Sequence, residues 1–213
     1  MTKEFNLNEQ LPLIAIIRGV LPDDVIRIAQ LLIDEGFTMI EVPLNSPDAL
    51  VSIRRLVEHF GDKFYIGAGT ITTPEQAKDV IATGANLVVT PNMNVDVIKL
   101  SVEAGCATFP GVVTPTEAFA ALAAGATGLK IFPVTALGVD GFKALMSVLP
   151  KGTNCFPVGG INASVESMKT YTKIGAQGFG LGSALYTPAM SDADISAVAK
   201  QFVESFNLCL QQS

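Results

Sequence analysis

The stretch ATFPGVVTPTEAFAALAAGATGLKIFP, residues 107–133, holds one full period of the pattern that decides the fold. Its first run, Ala107 to Gly111, is short, apolar and closed by a proline-glycine pair, and reads as a strand rather than a helix. Thr114-Pro115-Thr116-Glu117 follows with capping-box spacing and a proline at the first helical position. An alanine-rich helix then runs to Ala124 and stops at Gly125. The second run, Gly128 to Phe132, is apolar apart from Lys130. Runs without regular polar alternation are the mark of parallel strands covered by helices.

Outward from this unit the same period repeats. Strand runs are expected at Leu13–Arg18, Thr38–Pro43, Tyr65–Gly69, Leu87–Pro91, Ala107–Gly111, Gly128–Phe132, Cys155–Gly159 and Gly178–Ser183. Successive starts lie 20 to 27 residues apart, which leaves room for one helix and two short loops each time. Ser46-Pro47-Asp48 and Thr73-Pro74-Glu75-Gln76 mark further helix starts, and Gly36 and Gly84 mark helix ends. Eight such units without a linker predict a single domain over residues 1–213, a closed (β/α)8 TIM barrel. The first ten residues are expected to form a short helix or cap over the barrel floor. A doubly wound open sheet is the competing architecture. Gly67-Ala68-Gly69 follows a strand, but it lacks the third glycine of a dinucleotide-binding turn.

Composition limits what the chain can do. Of 213 residues, 49% are hydrophobic and 16% charged, enough apolar material for a large core and too little charge for a disordered tail. A net charge of -6 argues against a nucleic-acid partner. The most apolar region, Phe119 to Val139, is interrupted by glycines, a proline and Lys130, so no membrane span is expected. The polar N-terminus has no signal-peptide core, and a soluble cytoplasmic protein is the default expectation. Cys106, Cys155 and Cys209 are too scattered for a disulfide framework or a zinc site. His59 is the only histidine and falls on a helix pattern, so neither a histidine triad nor a histidine-bound metal is available.

In a barrel, function sits at the C-terminal ends of the strands, so charged residues inside strand runs matter most. Lys130 is the sharpest. Alternation turns Leu129 and Ile131 toward the helices and Gly128, Lys130 and Phe132 inward. Burial lowers a lysine's pKa and frees its lone pair, as a Schiff-base nucleophile requires. A buried ion pair, or a side chain reaching back to the rim, is the other reading. Glu41 is the only carboxylate within a predicted strand. It shares the inward face with Pro43, and suits either an ion pair or a proton shuttle. Arg18 ends the first strand, where it could hold a carboxylate or pair with a loop acid. Thr70 ends the third strand and could add a hydroxyl. Gly159-Gly160 and Gly182-Ser183 end the last two strands, where barrels often bind phosphate on backbone N–H groups, or simply turn tightly.

The segments Ile14-Ala15-Ile16-Ile17-Arg18-Gly19, Glu41-Val42-Pro43-Leu44, Gly67-Ala68-Gly69-Thr70, Thr90-Pro91-Asn92, Phe109-Pro110-Gly111, Lys130-Ile131-Phe132-Pro133, Val158-Gly159-Gly160 and Leu181-Gly182-Ser183 carry a family likeness. In that order, over nearly the whole chain, they resemble the class I aldolases of 2-keto-3-deoxy-6-phospho sugar acids, the KDPG/KHG family. The resemblance implies a homotrimeric barrel that uses no metal or cofactor, with a phosphosugar acid and pyruvate as small-molecule partners. It implies Lys130 as the imine-forming amine and Glu41 as the acid/base. Arg18 and Thr70 would hold the pyruvoyl carboxylate, Pro91 and Phe132 would wall the imine, and Gly159, Gly160, Gly182 and Ser183 would hold the phosphate. Pro43 and Asn45 stand where the gluconate branch usually has threonine and arginine, and Val158 where it usually has threonine. Those three positions imply a preference for the C4 epimer of that branch's substrate, with overlap between the two. A phosphate-binding barrel isomerase or synthase, or a non-catalytic phosphosugar binder, would share the glycine turns without needing a lysine in mid-strand.

Overall fold

The computed structural model describes residues 5–211, and the first four residues of the expected N-terminal cap lie outside them. The strands are β1 (Leu13–Ile16), β2 (Met39–Pro43), β3 (Tyr65–Gly69), β4 (Leu87–Val89), β5 (Ala107–Phe109), β6 (Gly111–Val112), β7 (Leu129–Ile131), β8 (Cys155–Pro157) and β9 (Phe179–Leu181). The helices are α1 (Val25–Asp34), α2 (Ala49–Phe60), α3 (Pro74–Ile81), α4 (Val95–Glu103), α5 (Pro115–Ala123), α6 (Val134–Val148), α7 (Val165–Thr172) and α8 (Asp192–Gln211). Every expected strand run contains an observed strand. Most stop a residue or two early, because the C-terminal residues of the runs leave the ladder to form the loops of the site.

All strand pairing among the described residues is parallel. Six strands form one sheet in the order β5-β4-β3-β2-β1-β9, and three form a second in the order β6-β7-β8. The expected run Ala107–Gly111 is therefore two strands, one in each sheet. Pro110 separates them because it has no N–H to give to a ladder. On the other side the sheets touch through an isolated parallel bridge between Val158 and Gly180. This is an α/β architecture with a curled parallel sheet, not a doubly wound sheet with a dinucleotide turn.

The side-chain alternation is as the sequence requires. Leu13, Ala15, Ile17, Ile40, Val42, Leu129 and Ile131 belong to the large outer core beneath the helices. Ile14, Met39, Tyr65, Leu87, Phe109 and Phe156 form a smaller cluster on the opposite, concave face. Phe5 closes that cluster, edge-on to Tyr65 at 4.9 Å and to Phe109 at 5.8 Å, and Phe109 meets Phe156 at 5.0 Å. The N-terminal segment thus acts as a cap through Phe5, and among its described residues the helical part is a 3-10 turn, Leu7–Glu9. Cys106 and Cys155 are buried packing residues.

The helix starts at Thr73 and Thr114 are complete capping boxes with Gln76 and Glu117. Gly36, Gly84 and Gly125 leave their helices at positive φ. The Ser46 start differs. Helix α2 begins at Ala49 behind Asp48 in a left-handed conformation, without a side-chain cap. The Ser46 hydroxyl instead accepts from the Gly19 N–H at 2.9 Å, tying the loop after β2 to the loop after β1. No helix among the described residues is long and apolar enough to cross a membrane.

Candidate active site

Filling the concave face with aromatic side chains at the N-terminal end leaves space at the C-terminal end. A cavity of about 610 Å³ opens there. Arg18, Asn45, Thr70, Pro91, Lys130, Phe132, Val158, Gly159, Gly160, Gly182 and Ser183 all line it. The chain brings these residues together from seven strand ends although they are spread over most of its length. Glu41 and Pro43 are not in the cavity wall. Pro43 ends β2 opposite Gly69 in the strand register. Glu41 lies deeper, one inward position earlier on the same strand.

Lys130 is 6% exposed and Glu41 1%. Burial pushes the Glu41 carboxyl up to about 7, against the opposing pull of Lys130, Arg18 and the Gly69 N–H. Burial drives the Lys130 pKa down, Glu41 resists this, and Arg18 adds to it. The two groups thus approach each other in proton affinity. No hydrogen bond or ion pair joins them among the described residues, and Glu41 Oε2 is buried without any hydrogen-bond partner. An acceptor left in that state costs about 1–3 kcal/mol, which a structural ion pair would have avoided. The Lys130 Nζ lies 4.8 Å from the centroid of the Phe132 ring.

The glycines beside this pair have steric reasons. A Cβ on Gly69 would lie 2.0 Å from Glu41 Oε2, and one on Gly67 would lie 1.7 Å from the Leu87 carbonyl oxygen. The Gly67-Ala68-Gly69 run therefore makes room for the carboxylate and the neighbouring strand.

Arg18 reaches the cavity rim, where its guanidinium donates to the Asn45 side-chain oxygen. Asn45 is thereby an orienting group for Arg18 as well as part of the wall. Thr70 has φ 61. A β-branched residue rarely adopts such a conformation, and strain of this kind, of order 1–3 kcal/mol, concentrates at functional sites. At the other side of the cavity Gly159 and Gly160 have φ 101 and 71, so their backbone turns in a way that L side chains resist.

Sequence reading missed Asn162, Tyr186 and Thr187, which also line the cavity. Each follows a glycine turn that was recognised, so a longer count past those turns would have found them. Three or more histidine, cysteine or acidic side chains do not gather into a metal-holding group among the described residues. Exposed His59 is packed edge-on to Phe60 at 4.7 Å.

The arrangement can form an imine on a buried amine, move a proton through a carboxyl of raised pKa, and anchor anions at two ends. The 2-dehydro-3-deoxy-6-phosphogalactonate aldolase of Escherichia coli K12 is 43% identical over 202 residues, 95% of this chain and 98% of the relative. The probable 2-dehydro-3-deoxy-6-phosphogalactonate aldolase of Rhizobium meliloti 1021 is 46% identical over 184 residues, 86% of each chain. A solved structure described as native KDPGal superposes with a TM-score of 0.91 at 43% identity, covering 94% of this chain and 97% of that one. The family model described as KDPG and KHG aldolase matches residues 6–201, and with that span and those identities the chain belongs to the KDPG and KHG aldolase family.

Proposed function

We propose that this chain is a class I aldolase that reversibly cleaves 2-dehydro-3-deoxy-6-phosphogalactonate to pyruvate and D-glyceraldehyde 3-phosphate. The observation that carries the reading is Lys130, buried at the end of the cavity with Glu41 behind it. Neutral Lys130 adds to the C2 ketone, and loss of water gives a protonated imine. That imine accepts the electron pair of the C3–C4 bond as Glu41, directly or through one water, takes the proton of the C4 hydroxyl. The aldehyde departs, leaving a pyruvate enamine. Glu41 returns a proton to C3, and water then releases pyruvate and regenerates the amine.

Arg18 and Thr70 hold the pyruvoyl carboxylate, Pro91 and Phe132 pack around the imine, and Gly159, Gly160, Gly182 and Ser183 hold the phosphate. With both ends fixed, the scissile bond stays near the base. Pro43, Asn45 and Val158 bias the choice at C4. Support for the galactonate epimer comes from the relatives at 43% and 46% identity. The family's breadth makes the gluconate epimer a poorer second substrate. In this reading the two sheets are parts of one (β/α)8 barrel over residues 1–213, closed at Pro110 and at the Val158–Gly180 bridge, and three cytoplasmic chains assemble as a trimer active in galactonate catabolism. The likeness to the family supports those points.

Borohydride reduction in the presence of pyruvate, followed by intact mass and peptide mapping, tests the reading. One reduced pyruvate unit on Lys130 is expected, with none on Lys130→Ala. An unmodified wild-type protein would refute imine chemistry and favour a binder or a different barrel enzyme. The ratio of kcat/KM for the two epimers, expected to favour galactonate, then measures selectivity at C4.

A further inference from the structure

Thr90 is 1% exposed and no step of the proposed reaction uses it. It sits where the first sheet gives way to the second. The ladder between β4 and β5 pairs Val89 with Phe109, and the Thr90 N–H donates to the Phe109 carbonyl at 3.2 Å. Below this, the Ala107 N–H donates to the Asn86 carbonyl at 2.9 Å. Advancing that pattern in steps of two, the Gly111 N–H would reach the Thr90 carbonyl. Instead it donates to the Thr90 hydroxyl oxygen at 3.3 Å. The same hydroxyl donates to the Asn92 carbonyl across Pro91. One side chain therefore closes the Pro91 turn and supplies the rung at which β6 begins.

The start of β6 and the Pro91 turn both border Lys130. Gly111 is the register partner of Lys130, whose N–H donates to the adjoining Pro110 carbonyl at 2.9 Å. Pro91 shares the cavity wall with Lys130. The fit between turn and strand is close, since a Cβ on Gly111 would stand 2.5 Å from the carbonyl carbon and oxygen of Pro91. We infer that Thr90 is a positioning residue for imine chemistry, holding the Pro91 turn and the Gly111 strand at a fixed distance from the Lys130 amine. The inference rests on Lys130 being the imine-forming residue. Its physical basis is that reacting groups misplaced by about an ångström lose up to a hundredfold in rate.

The experiment follows exchange of the pyruvate methyl protons with solvent by NMR, alongside borohydride trapping and a thermal melt. Thr90→Val keeps the shape but removes both hydrogen bonds, and Thr90→Ser keeps the hydroxyl. For a folded Thr90→Val the exchange kcat is expected to fall at least about tenfold. Its KM for pyruvate is expected to stay within about twofold, because Arg18 and Thr70 lie on other strands. Thr90→Ser is expected to restore wild-type exchange. A folded Thr90→Val with wild-type kcat, or a folded Thr90→Ser as slow as Thr90→Val, overturns the inference while pyruvate trapped on wild-type Lys130 keeps the aldolase reading. Absence of a wild-type adduct overturns both. Hydrogen exchange on the wild type decides the matter if Thr90→Val does not fold. The Gly111 amide is expected to exchange slowly, and more slowly once the reduced pyruvate adduct is in place; equal protection with and without the adduct overturns the inference.

Discussion

Glu41 combines complete burial with an Oε2 that has no hydrogen-bond partner, and its ionisation therefore matters to both rate and stability. Its carboxyl rises from an ordinary value of 4.5 to about 7, chiefly through burial, with Lys130 and Arg18 opposing. In the base role proposed for it the carboxyl must be ionised, so kcat/KM is expected to rise with pH through about 7. Glu41→Gln is expected to lose that limb and at least about a hundredfold in kcat. A variant with wild-type kcat would make Glu41 structural. For stability the raised value means that the folded chain holds the proton more tightly than the unfolded chain. Glu41 thus adds stability below pH 4.5, and the contribution disappears as pH rises to about 7. The thermal midpoint of Glu41→Gln is expected to gain on wild type between pH 5 and pH 8, by about 2–4 kcal/mol in equivalent stability. The residue was legible because a lone carboxylate in an apolar strand has few cheap explanations. Its raised pKa was legible only in outline, since that depends on how completely the surrounding elements exclude water.

At the scale of elements, β3 shows how a strand can be shaped by a neighbour's side chain. Its register places Gly67 opposite Glu41 and Gly69 opposite Pro43, and both glycines face the concave side. Gly69 leaves the volume that the Glu41 carboxylate occupies. Gly69→Ala is expected to displace that carboxylate and lower kcat by at least about tenfold, because the new Cβ meets a side chain fixed between strands. Equal kcat in a folded variant would show that the carboxylate has room to move. The fold was most legible in this class of element. Capping boxes at Thr73 and Thr114 and apolar strands of regular spacing are local signals, and each has a local cause. The start of α2 was misread for a non-local cause: Ser46 serves Gly19, 27 residues earlier. The split of the fifth strand run could not be seen either. Pro110 announces a break, but which strands the two halves join depends on pairings far away in the chain.

The whole molecule ties its beginning to its end. Strand β1 pairs with β9, Arg27 of α1 forms an ion pair with Asp192 at the start of α8, and Phe5 closes the cluster on the concave face. The members of the site follow from that closure rather than from any one segment. Asn162, Tyr186 and Thr187 went unread because they lie just past the glycine turns, which carry the local signal, and bear none of their own. If a chain joined in this way is the single domain proposed for residues 1–213, it is expected to unfold as one unit, with a single calorimetric transition and loss of aldolase activity at the same temperature. A second transition would divide the chain into domains. Association adds a separate requirement. If three chains assemble and the assembly stabilises each, the midpoint rises with protein concentration, as it must whenever folded chains bind one another and unfolded chains do not. Sedimentation equilibrium is then expected to give three chain masses over the same concentrations. A midpoint independent of concentration together with a single chain mass would reject the trimer. It would leave the one-domain reading intact, because the contacts between β1 and β9 lie within one chain.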